Sequence, residues 1–276
     1  MRKTILIASL LLLPLAALAQ EPQCKHSQPR DLQLDLAGIK TVMFEIGPHD
    51  LKIDARPGAK AGVQGRACAS DAGDLDRLKL SQHKSGDTLV VRAEREDRSL
   101  GFSFGNRYAY LKLEASLPDT VPVQLKVGSG DAVVTGVPVL EIGVGSGDVA
   151  ARRIRGLVTA SVGSGDIKLE DIGSLQVSSI GSGDITAKQV RGGVKVGSIG
   201  SGEFDLDGAQ GDVEIGSIGS GDADVRNVTG NVSLGSLGSG DFDARGVRGD
   251  LTVRSKGSGD IGHSGIGGKV QLPRKR

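Results

Sequence analysis

The chain has 276 residues, with 34 Lys+Arg against 33 Asp+Glu, 43 Gly, 9 Pro, 2 Cys and no Trp. A formal net charge of +1 excludes a basic nucleic-acid binder and a strongly acidic disordered chain. Glycine is unevenly placed: 34 of the 43 lie from Gly128 onward.

At the N-terminus, Arg2-Lys3 precedes an apolar run from Ile5 to Leu18, broken by Ser9 and Pro14 and closed by Ala17-Leu18-Ala19. A basic start, an apolar centre and a small-x-small end read as a cleaved signal peptide over residues 1–19. The run is shorter than the roughly 20 residues that span hydrocarbon, so no transmembrane anchor is expected after cleavage. Cys24 follows Glu21-Pro22-Gln23 rather than the small apolar residues of a lipoprotein processing site. The expected destination is outside the cytoplasm, whether periplasm, cell envelope or medium.

Cys24 and Cys68 are an even pair, so in an oxidising compartment one disulfide is the default. Closing that loop would stabilise by about 4 kcal/mol in the chain-entropy description. His26, His49, His83 and His263 stand at no metal-ligand spacing, and neither Cys has a CxxC partner.

Residues 20–127 read as a β-rich cap region without a clean period. Thr41–Ile46, Leu51–Ala55, Thr88–Val91 and Tyr110–Glu114 alternate as strands do. Phe102, Phe104, Tyr108 and Tyr110 flank Gly105-Asn106, a two-residue hairpin signal. These four aromatics form either a binding tip or, on the plainer reading, cross-strand packing that seats the cap.

Residues 128–272 are dominated by a repeat. Gly-Ser-Gly-Asp begins at 128, 145, 163, 181, 219, 238 and 257, with Gly-Ser-Gly-Glu at 200. Counted from the first Gly, position 5 holds Ala132, Val149, Ile167, Ile185, Phe204, Ala223, Phe242 and Ile261. Position 7 is apolar until His263, and position 10 is apolar throughout, as in Val137, Val190 and Ile266. A second alternating pair follows in each copy, for example Val194/Val196 and Val232/Leu234. One copy is too small to bury its own apolar face, but stacked copies share one core. The expected fold is therefore all-β: a single-stranded β-solenoid of about eight coils of 17–19 residues with an irregular N-terminal cap. Successive coils rise about 4.8 Å. The added residue before Ile199 reads as a β-bulge that keeps the inward side chain in register. Gly at positions 1 and 3 is expected to supply either positive φ or a corner too crowded for Cβ. Residues 273–276, Pro-Arg-Lys-Arg, form a basic tail that would blunt the open end.

With these features the chain resembles the bacterial putative-adhesin family of β-strand-repeat proteins. The resemblance rests on the irregular β-rich first part, on Leu117-Pro118 before Val121–Leu125, and on the recurring Ser-Gly-Asp with alternating Val/Ile. It implies a β-solenoid and an envelope location, and it brings no catalytic residue.

The corner acids Asp131, Asp148, Asp166, Asp184 and Asp260 fit Asx-type turns that accept backbone N–H groups. Positions 4 and 6 of coils five to seven place Glu203, Asp205, Asp222, Asp224, Asp241 and Asp243 on one face. Such an oxygen cluster is the one place that would suit Ca²⁺, whereas cross-pairing with Arg226 and Arg245 would make it a solvated face. No other cofactor is expected. Uniform short coils, few aromatics and no His beside the repeat serines point away from catalysis. The leading expectation is a non-enzymatic surface for an envelope protein or polysaccharide. The alternative is a structural, self-associating scaffold.

Overall fold

The computed structural model describes residues 24–96 and 107–274. The expected signal peptide, Phe102, Phe104 and the expected Gly105-Asn106 turn therefore lie outside the described residues. Every strand expected from the alternation is present, including Thr41–Ile46, Thr88–Arg95 and Ala109–Pro118.

Each repeat contributes one strand on either side of its Gly-Ser-Gly corner, such as Val213–Ile218 and Asp222–Val228. Equivalent strands of successive coils pair in parallel and in register, Val213 beside Val232 and Ala223 beside Phe242. Two parallel ladders thus face each other across a continuous core. In coils 2 and 3 the second corner is so gentle that one strand runs round it, over Val149–Val162 and Asp166–Ile180. Positions 5, 7 and 10 point inward and are buried up to the last coil. Along position 5, Phe204, Ala223 and Phe242 alternate in size, so the rings nest over a methyl rather than over each other.

The bulge is present: Ala160 pairs with Val177 but Ser161 with Ser179, leaving Ser178 as the extra residue. It is only part of the length variation. Thr135 pairs with Arg152, whereas Leu140 pairs with Val158, so another residue enters at the second corner.

The glycine expectation resolves to crowding. A Cβ on the glycine at position 3 of the corner, for example at Gly221 or Gly240, would lie 2.0 or 1.8 Å from the carbonyl oxygen one coil below. Positive φ occurs elsewhere, at position 9 of every copy: Gly136, Arg153, Asp171, Gln189, Gly208, Asn227, Gly246 and Gly265. There the chain makes two outward residues between inward positions 7 and 10, which needs one left-handed residue.

The cap region departs from the expected irregular lid. Thr41–Ile46 and Asp50–Arg56 form a parallel coil directly on Val123–Val127 and Ala132–Thr135. Thr88–Arg95 and Ala109–Pro118 form a second coil outside it. The stacking order is therefore not chain order: the later segment lies outside the earlier one. Only beyond this outer coil does the pairing become antiparallel, with Gly62–Ala69 against Ala109–Pro118 and Leu78–Ser85 against Thr88–Arg95. Antiparallel strands close the end because they hydrogen-bond without continuing the coil path. Cys24 and Cys68 are joined across this closure, with Cα atoms 5.2 Å apart. At the other end the last coil shortens to Ile261–Ser264 and Val270–Gln271, leaving Val270 and Leu272 exposed. No helix among the described residues is long and apolar enough to cross a membrane.

Candidate functional site

The corner acids do bind backbone N–H groups, but across coils instead of within an Asx turn. Asp131 Oδ1 accepts from Asp148 N at 3.2 Å, Asp148 from Asp166 at 3.1 Å and Asp184 from Glu203 at 2.9 Å. Asp222 accepts from Asp241 at 2.8 Å, and Asp241 from Asp260 at 3.0 Å. Parallel stacking puts each carboxylate beside the equivalent amide of the next coil, closer than any amide of its own corner. The chain of bonds breaks where the amide turns to a carbonyl instead, Asp184 to Gly165 and Asp222 to Gly202. Glu203, with one more methylene, leaves Asp222 N to the backbone. The serine column is thinner than its sequence regularity: Ser220 and Ser239 hydroxyls meet at 3.3 Å.

A second ladder of the same design went unread in the sequence. At the opposite corner Asp212 accepts from Asn231 N at 2.7 Å, Asn231 from Asp250 N at 2.9 Å and Asp250 from Lys269 N at 2.7 Å. Its signal was a glycine before each member, Gly211, Gly230, Gly249 and Gly268, at a constant 19-residue step.

Residues Glu203, Asp205, Asp222, Asp224, Asp241 and Asp243 are brought together in two columns, and all but Glu203 have a hydrogen-bond or ion-pair partner on at least one oxygen. Arg226 grips Asp224 through two bonds of 2.9 and 2.6 Å and lies 3.6 Å from Asp205. Arg245 bridges Asp224 at 3.2 Å and Asp243 at 3.0 Å. Asp207 accepts from Asn227 at 2.7 Å. Arg226 above all holds the Asp224 carboxyl below its ordinary range. Glu203 is raised instead, first by Asp205, then by burial and the neighbouring aspartates. Among the described residues no group of three His, Cys, Asp or Glu has the geometry to hold a metal ion.

The same sheet face is different over coils 1 to 4. Small Val133, Ala150 and Thr186 floor a shallow trough of about 650 Å³, walled by Arg152, Lys168 and Lys188 with Glu170 in register between Arg152 and Lys188. None of these three basic groups makes an ion pair with a described residue; Arg152 reaches only the Thr135 hydroxyl, at 3.4 Å.

Of the aromatic group, Tyr108 and Tyr110 are described. Their rings lie 6.0 Å apart and tilted, and the Tyr108 hydroxyl accepts from Lys25 N at 3.0 Å. Tyr110 stands opposite Cys68, so this pair packs beside the disulfide, with Tyr108 exposed.

Two parallel ladders, one repeat per coil and carboxylate-to-amide ladders at the corners define a β-solenoid repeat protein. The family profile described as Toastrack DUF4097 matches residues 48–262, and the chain belongs to that family. The match begins at Pro48, inside the coil that precedes the visible repeats. A crystal structure of a putative lipid binding protein from Parabacteroides distasonis superposes with a TM-score of 0.58 at 21% identity, covering 87% of this chain and 97% of that one. A putative adhesin from Bacteroides fragilis is similar at 15% identity over 90% of this chain and 97% of its own, with a TM-score of 0.35. No curated protein matches the chain.

Proposed function

We propose that this protein is an exported, non-enzymatic β-solenoid that binds an envelope partner, polysaccharide or protein, on the sheet face over coils 1 to 4. The observation that carries this reading is the contrast along one face. Over coils 5 to 7 Arg226 and Arg245 pair with Asp205, Asp224 and Asp243, but seven carboxylates face two arginines and the surface stays acidic. Over coils 1 to 4, Arg152, Lys168 and Lys188 outnumber Glu170 above a floor of small side chains, so the surface is basic. The parallel ladder fixes the spacing of their backbone positions. Export is supported by the disulfide and by the signal-like N-terminus. The absence of catalysis is supported by short, uniform coils without cleft-forming insertions from Leu140 to Ser264.

The test is capture from envelope extract by immobilised wild type and by the double variant Lys168→Glu/Lys188→Glu. Capture by the wild type alone supports the trough. Equal capture by both moves the binding surface elsewhere. No capture, with scattering that rises with concentration, supports the scaffold reading. Anionic vesicles form a separate arm, since lipid binding is the designation of the Parabacteroides structure.

A further inference from the structure

One buried titratable group serves none of these surfaces. Gly47-Pro48-His49-Asp50 aligns with Gly128-Ser129-Gly130-Asp131, because Ile46 pairs with Val127 and Leu51 with Ala132. His49 thus occupies the place of the position-3 glycine, where the eight repeats have no room for Cβ. The outer coil flanks it with two described strands, Thr88–Arg95 on one side and Ala109–Pro118 on the other. The imidazole fills that corner and is 0% exposed. Its Nδ1 accepts from Leu111 N at 3.2 Å, so the ring proton sits on Nε2. Nε2 is the one buried side-chain polar atom among the described residues without a hydrogen-bond partner.

We propose that His49 is an acid-sensitive latch holding the outer coil to the solenoid: protonation of Nδ1 removes the acceptor of Leu111 N–H and places a cation in the closed corner, which opens there. Opening bares the edge of Asp50–Arg56, a template for strand pairing. The charged groups that the described residues bring to this corner are Arg95 from Thr88–Arg95, Lys112 from Ala109–Pro118, Asp50 beside the ring and Asp131 on the coil below. Burial first, and then Arg95, lower the imidazole to about 4, with the Pro48 carbonyl pulling weakly the other way. Asp50 shifts with the opposite sign: burial raises it, so its protonation favours the closed corner. Between pH 6.5 and about 4 the open corner binds a proton that the closed one does not.

Hydrogen exchange on the full mature chain tests this at pH 7.5 and 4.5, corrected for intrinsic rates. Peptides within Leu111–Pro118 should lose protection by up to roughly 70-fold if the opened imidazole has its ordinary value. Peptides within Val213–Ile218 should not change. His49→Gln keeps an acceptor for Leu111 without a titrating ring and should abolish the difference. Unchanged protection, an equal loss in both peptides, or the same loss in the variant would overturn the latch. Should the variant fail to fold, NMR titration of wild-type His49 decides: a midpoint near 6.5 in the folded protein overturns it and one near 4 supports it.

Discussion

Gly221 and Gln189 occupy opposite kinds of backbone site, and substitution should move stability in opposite directions. At Gly221 the backbone is ordinary but a Cβ would meet Gly202 O at 2.0 Å. Gly221→Ala should therefore cost about 3 kcal/mol, by forcing two coils apart. Gln189 has φ of +57°, while the equivalent Gly208 has no heavy atom within 3.7 Å of an added Cβ. Space is not its problem; a left-handed L-residue is. Gln189→Gly should raise stability by about 0.5–1 kcal/mol, the left-handed penalty less the entropy that glycine loses. Urea midpoints of the two variants check both signs. Asp224 sets an acid limb. Its folded carboxyl is depressed below 3.8, so the stability it contributes is present above that value and lost as pH falls through the folded one. Asp224→Asn should flatten the melting temperature against pH in that window.

The coil is the unit in which side-chain size is balanced. Phe204 and Phe242 are separated by Ala223 along the position-5 column, and each ring is fully buried. Phe204→Ala would place two alanines in adjacent coils and open a cavity, at a cost of about 4 kcal/mol. On the acidic face two arginines each span more than one carboxylate and occupy the centre of the cluster. Millimolar Ca²⁺ at constant ionic strength should leave the melting temperature unchanged in the wild type. A rise that vanishes in Asp222→Asn/Asp224→Asn would mean that a cation displaces those arginines.

The whole molecule is a stack closed at one end. Coils touch chiefly their neighbours, so removing residues 200–218 should leave a shorter, folded rod. The deletion brings Ile185 against Ala223, both inward at position 5. Circular dichroism should keep its β form, and global unfolding of the deletion would contradict a nearest-neighbour stack. The closure at the other end differs in kind, because its strands come from distant segments tied by Cys24–Cys68. Reduction should lower stability by at most about 4 kcal/mol. Thiol titration of the denatured, unreduced protein should find no free Cys.

Local pattern alone determined most of the repeat: the corner glycines, the inward columns at positions 5, 7 and 10, the bulge and the pairing of two lone cysteines. These were legible because a parallel stack repeats the same contacts every 17–19 residues, so periodicity carries the tertiary information. The second corner ladder was equally periodic and could have been read from Gly211-Asp212, Gly230-Asn231 and Gly249-Asp250. Tertiary structure decided what had no period. Thr41–Arg56 could be placed between Ala132 and Ala109–Pro118 only by folding, since its partners lie far along the chain and no motif marks them. Gly47-Pro48-His49-Asp50 is a repeat corner whose diagnostic glycine is replaced. What engages His49 is Leu111 N of the neighbouring coil, a partner that no reading of residues 47–50 contains.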